Sequence, residues 1–169
     1  MNSAILATRE PVSLARVAYE VVQQFGVDPV ALDRLRLSIP EDDDATAHGD
    51  FDALAMALRN LVENALRHSG NSRVTVLVEA PATLRVTDDG PGVTPEQLQL
   101  LRHRHVRHSH ETSGYGLGMS IVTTLMERQR GELILESPPP GQPHGLQASL
   151  RLQPYLSAAE SVEAPGYRA

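Results

Sequence analysis

One segment limits the possible folds more than any other. Across residues 50–68, a step of about 100° per residue puts Leu54, Leu58, Leu61, Val62 and Ala65 on one side of a helix. Asp50 stands where an N-cap is needed and Ser69-Gly70-Asn71 closes the run, so local chemistry sets both ends. A helix with one apolar stripe has to lay it against another layer. The same arithmetic gathers Asn60, Asn64 and Arg67, spaced by four and three residues, on the opposite side, with Glu63 and His68 at its margins. Two carboxamides and a guanidinium together form either a solvated surface or the wall of a polar site, and the helix alone does not separate the two.

Flanking patterns supply the other layer. Leu14, Val17, Ala18, Val21, Val22 and Phe25 recur at helical spacing over residues 12–25, with Ser13 as cap and Gly26 just past the end. Leu35, Leu37 and Ile39 alternate with Arg36 and Ser38, the period of a half-buried strand, until Pro40 and the acidic run 41–44 end it. That run lacks the alternation and glycine of a calcium loop and reads as a solvated turn. Residues 73–79 and 83–87 read as two strands joined around Ala80-Pro81. A short helix is expected from Pro95 to about Leu101, followed by a polar, His- and Arg-rich stretch to Ser113 expected to act as a mobile lid. The stretch Gly114 to Gly118 is expected to lead into a third long helix running to about Arg130, with closing strands at 132–136 and 146–152 around a loop. Helix, strand, helix, two strands, helix, two strands predicts an α/β two-layer sandwich, with about three helices on one face of a mixed sheet. The expected domain spans 12–154, with 1–11 as the end of a linker and 155–169 as a disordered tail.

Bulk properties remove whole classes of function. A chain of 169 residues suits one domain, and its net charge of −6 offers no field to gather nucleic acid or an anionic membrane. Aromatics make up 4% with no Trp, too few for a platform on which single-stranded bases stack. The absence of cysteine excludes disulfides, thiolate zinc sites and thiol catalysis, and suits a reducing compartment. No window reaches the roughly 18 apolar residues of a membrane span, and residues 1–10 lack a signal-peptide pattern. A cytoplasmic domain without nucleic-acid or direct membrane contact is expected.

Two further motifs carry chemistry. Asp88-Asp89-Gly90-Pro91-Gly92 ends a predicted strand, where glycines let backbone approach a ligand and a carboxylate can accept from an amine, although a tight turn accounts for it equally. Gly114-Tyr115-Gly116-Leu117-Gly118 opens a helix, whose free amides and positive dipole end could receive phosphate oxygens; the alternative is a glycine hinge. No Gly-Lys-Ser/Thr follows, so it is not a Walker loop, and no strand leads into it with dinucleotide-fingerprint spacing.

Taken in order, Asn60-Leu61-Val62-Glu63-Asn64-Ala65-Leu66-Arg67-His68-Ser69, Asp88-Asp89-Gly90-Pro91-Gly92 and Gly114-Tyr115-Gly116-Leu117-Gly118-Met119-Ser120-Ile121-Val122 resemble the N, G1 and G2 boxes of the histidine-kinase branch of the GHKL ATP-binding superfamily. The resemblance covers roughly residues 12–152 and implies a Bergerat-type fold that binds ATP with Mg²⁺. It implies Asn64 as the metal ligand, since a carboxamide oxygen suits a hard cation that keeps phosphate and water ligands. Asn60 and Arg67 would face the phosphates and His68 would lie against the nucleotide. Asp88 would accept the adenine amino group and reject guanine, whose carbonyl would point an acceptor at an acceptor. Gly90 and Gly92 would admit the base. Gly114, Gly116 and Gly118 would let the lid close and bring the helix start to the phosphates, with Tyr115 and Leu117 as backbone donors or lid packing. The implied reaction is donation of the γ-phosphate to a histidine on the dimerisation domain of a sensor histidine kinase, with a response regulator downstream. The isolated domain would be monomeric, its parent a homodimer anchored in the bacterial inner membrane.

Some residues depart from the family or its branches. Hydrolytic members similar to gyrase and the heat-shock chaperone carry glutamate at the Asn60 position to activate water, and anti-sigma serine kinases tend to carry it too. An amide is a poor general base, so this site is expected to hold ATP without splitting it efficiently. The family's aromatic F box is not recognisable in Leu100-Leu101-Arg102-His103-Arg104-His105-Val106-Arg107-His108, and Leu146 and Ala148 stand where a threonine and a larger apolar residue are common. His103, His105, His108 and His110 lie among arginines and read as a solvated basic lid rather than a metal cluster. None has the acidic, proline-containing surroundings of a phospho-acceptor, which is expected in a region preceding this chain. A kinase catalytic domain leads, ahead of a slow ATPase and a nucleotide-binding module with a degenerate lid.

Overall fold

The computed structural model describes residues 10–42, 45–102 and 115–156. Along the chain run β1 (Glu10–Ser13), α1 (Leu14–Phe25), α2 (Pro29–Arg34), β2 (Leu35–Ser38), β3 (Thr46–Gly49) and α3 (Phe51–His68). Then come β4 (Val74–Glu79), β5 (Thr83–Asp88), α4 (Pro95–Arg102), α5 (Tyr115–Arg128), β6 (Glu132–Glu136) and β7 (Gln147–Arg151). The main sheet has the order β2-β4-β5-β7-β6, with β2 parallel to β4 and the remaining pairs antiparallel, the mixed sheet that the patterning predicts.

The long helices α1, α3 and α5 cover one face of this sheet, with α3 against β4 and β5, α1 over β2 and β4, and α5 over β6. Strand β4 shows why: Val74, Val76 and Val78 are buried while Thr75, Leu77 and Glu79 are partly exposed, the period-two signature of a sheet with one covered face. On the other face Arg85 of β5 pairs with Glu79 at 2.8 Å and donates to Ser149 Oγ of β7 at 3.1 Å. Leu54, Leu58, Leu61, Val62 and Ala65 of α3 are all buried as their spacing requires. Caps set the helix starts: Ser13 Oγ accepts from Arg16 N at 3.3 Å and Asp50 Oδ1 from Asp52 N at 3.3 Å.

Three elements are not visible in the periodicity. The first helix starts at Leu14 behind its expected Ser13 cap, and residues 10–13 before it are extended and pair antiparallel with β3 as a separate two-stranded sheet. Ordered structure therefore reaches back to Glu10, inside the stretch expected as linker. Helix α2 has only 6 residues, too few for an amphipathic pattern, and is set by Asp28 accepting from Val30 N at 3.0 Å with Pro29 in its first turn. Strand β2 stops at Ser38, leaving Ile39 outside. At the far end Tyr155 N donates to Thr46 O at 2.8 Å and its ring lies 4.7 Å from that of His48, so the first residue of the expected tail is tied to β3. The lid stretch 103–114, with its four histidines, and residues 1–9 and 157–169 lie outside the described residues. Among the described residues no helix is long and apolar enough to cross a membrane.

Candidate functional site

Helix α3 does not present a simple solvated polar face. Asn64 is only 5% exposed, and its Nδ2 has no hydrogen-bond partner among the described residues. A buried N–H donor without a partner costs free energy, which makes Asn64 a candidate ligand-facing group. Asn60 is half-buried, with Nδ2 donating to Met56 O of its own helix at 2.8 Å. Arg67 is exposed, and His68 is half-buried. Burial, and then the charge of Arg67, hold the His68 imidazole below its ordinary pKa, so the ring is neutral at neutral pH.

Helix α5 packs along α3, and its C-terminal end is pinned where α3 begins: Gln129 Oε1 accepts from Asp50 N at 2.7 Å. The glycine run does not lead into the helix as expected; Tyr115, Gly116, Leu117 and Gly118 already form its first turn, while Gly114 lies outside the described residues.

The turn after β5 closes the site from the sheet side. Asp88 is 4% exposed and its Oδ1 accepts from Gly90 N at 2.9 Å. Burial raises its pKa above the ordinary carboxylate value; backbone hydrogen bonds from Gly90 and Leu146 oppose this, the charge of Asp89 adds to it, and Arg34 counters it. Gly90 is required by space: a Cβ there would stand 2.7 Å from Ser69 O and 2.9 Å from Ser69 Cα, so the turn rests directly on the C-cap of α3. That contact is what brings Asp88 to the His68 end of the helix. Gly92 has φ +73°, and a Cβ would meet Gly145 O at 2.6 Å and Ser137 Oγ at 2.7 Å. Both glycines thus fit the turn to its own protein neighbours.

Residues outside the motifs brace this turn. Gly145 has φ +116°, and a Cβ there would overlap the Asp88 carbonyl oxygen. Ser137 Oγ donates to Gly145 O at 2.6 Å and accepts from Val93 N at 3.1 Å. His144 Nδ1 lies 2.9 Å from Gly90 O, and since a carbonyl only accepts, that nitrogen carries the proton. A glycine before a closing strand is a detectable turn signal, but no local pattern shows what it has to clear. Leu146 and Ala148 are buried, and Asp88 N donates to Leu146 O at 3.0 Å.

Residues 49–155, from the end of β3 through β7, match the family model described as Histidine kinase-, DNA gyrase B-, and HSP90-like ATPase. The chain belongs to this family. It is an ATP-binding domain of Bergerat, or GHKL, fold. The sensor protein BasS of Salmonella typhimurium is 36% identical over 105 residues, 60% of this chain and 30% of that protein. The sensor histidine kinase CpxA of Escherichia coli is 38% identical over 100 residues, 56% of this chain and 22% of that one. The chain thus spans less than a third of the length of these curated relatives. Among solved structures it is similar to the histidine kinase domain of the E. coli osmosensor EnvZ, with a TM-score of 0.69 and 26% identity over 96% of each chain.

Proposed function

We propose that this chain is the catalytic domain of a sensor histidine kinase, binding Mg-ATP and donating its γ-phosphate to a histidine on the receptor's dimerisation domain. The observation that carries this is the match of residues 49–155 to the ATPase family in a chain whose relatives are sensor kinases, with Asn64 buried on the helix that bears the polar motif. The Asn64 carboxamide oxygen suits Mg²⁺, which favours one or two protein oxygens plus phosphates and water. Asn64 would hold that ion, which when bound offsets charge on the triphosphate.

The chain's own residues then divide the work. Asp88, its Oδ1 fixed by Gly90 N, accepts the adenine amino group and leaves guanine with a mismatched carbonyl. The neutral His68 ring lies against the nucleotide without adding charge. Arg67, exposed on the next position of α3, reaches the phosphates, and the first turn of α5, Tyr115 to Gly118, offers them backbone amides. Asn60 is an amide already donating to Met56 O and cannot act as a base for water, which favours transfer over hydrolysis. The domain supplies position and charge compensation while the nucleophile arrives from outside these residues. A response regulator downstream, a homodimeric parent and an inner-membrane anchor belong to the same proposal.

The test supplies the dimerisation domain of the receptor in trans with γ-labelled ATP. Acid-labile, alkali-stable label on that domain, with phosphate release near background from this chain alone, is the expected result. Rapid phosphate release without labelled acceptor would make the chain an ATPase instead.

A further inference from the structure

Arg34 ends α2 and sends its guanidinium across to the last turn of α3. Nε donates to Ser72 O at 2.9 Å, Nη1 to Leu66 O at 3.1 Å and Nη2 to Ser69 Oγ at 3.0 Å. Three donors of one rigid fork therefore engage the end of α3 and the loop that leaves it. Leu66 O is among the last four carbonyls of the helix, which lack a regular in-helix partner, and a cation there also meets the negative end of the helix dipole. Leu66 and Ser69 bracket Arg67 and His68. Ser69 is 4% exposed, donates through Oγ to Ala65 O, and is the residue whose backbone a Cβ on Gly90 would strike. A continuous path of contacts thus runs from Arg34 through Ser69 to Gly90, whose N–H fixes Asp88 Oδ1.

We propose that Arg34 is a positioning residue of the nucleotide site, seating the last turn of α3 against the turn at Gly90 so that Asp88 and His68 meet the base at a fixed spacing. This rests on the assignment of Asp88 to the adenine amino group made above. The charge of Arg34 also favours the ionised form of Asp88, against burial and the neighbouring Asp89; the His144 ring approaches the same turn at Gly90 O. Protonated Asp88 cannot accept through both oxygens, so nucleotide affinity falls on acidification. Removing the Arg34 charge moves that fall to higher pH.

The experiment compares the full chain with Arg34→Met, which keeps length but loses charge and donors, and Arg34→Lys, which keeps charge but loses the fork. ATP affinity per folded molecule is measured by calorimetry across acidic and neutral pH, with thermal unfolding alongside. Both variants are expected to bind ATP about tenfold more weakly at neutral pH. Only Arg34→Met should shift the acid limb of binding upward. Ser69→Ala, which removes one acceptor, gives a second and milder test, with a loss of about threefold. If unfolding temperatures drop while affinity and its acid limb stay as in the wild type, Arg34 only supports the fold and the inference is overturned. A wild-type chain that binds no ATP would overturn the proposed function and this inference with it.

Discussion

Asp88 is a carboxylate kept 4% exposed at a strand end, and the fold loses stability by keeping it charged there. Its folded-state pKa is raised, chiefly by burial, so the protonated form is the one that folding favours. Stability linked to this group is present below its unfolded pKa and lost as pH rises through its folded pKa. Asp88→Asn should therefore unfold at a higher temperature than wild type at neutral pH without nucleotide, and the gap should close as pH falls below that window. The same variant should lose at least about tenfold in ATP affinity, because an amide presents fewer acceptors to the adenine amine. Equal stability of the two proteins at neutral pH would contradict this account of Asp88. Asn64 and Asp88 are legible in the sequence because each sits in a local string. Arg34, Ser137, His144 and Gly145 are not, because each matters through a partner distant along the chain: Ser69, Val93, Gly90 and the Asp88 carbonyl.

Helix α3 serves the core and the site at once. Its stripe of Leu54, Leu58, Leu61 and Val62 is buried to 2% exposure or less, while Asn64 reaches the flank along which the site forms. Leu58→Ala should destabilise the chain by about 2–5 kcal/mol, read as a lower urea midpoint at unchanged m-value. The ATP affinity of the folded fraction should stay near wild type, since Leu58 lies in the buried apolar stripe and not among the polar residues of the helix. A loss of affinity larger than the loss of folded protein would show that the helix does not separate its two roles this way. Long elements with caps and a clear period, α1, α3, β4 and β5, were legible to within a residue or two. The 4-residue β1 and β3 and the 6-residue α2 were not, because short segments carry no period and the pairing of β1 with β3 is non-local.

At the scale of the whole molecule, the layer architecture follows from patterning, whereas the strand order β2-β4-β5-β7-β6 depends on contacts that no window contains. That order sets β5 beside β7, so that the loop before β7, with His144 and Gly145, braces the turn after β5 and presses it onto the end of α3. The helix and turn motifs pointed to this contact only through their resemblance to a family, since each has a bland alternative when taken alone. The most direct test is a calorimetric titration of wild type, Asn64→Ala and Asp88→Asn with ATP and with GTP, each with and without Mg²⁺. The expected result is wild-type binding that prefers ATP and tightens with Mg²⁺, loss of the Mg²⁺ effect in Asn64→Ala, and loss of the preference for ATP in Asp88→Asn. Wild-type ATP affinity in both variants, indifferent to Mg²⁺, would contradict the site described above.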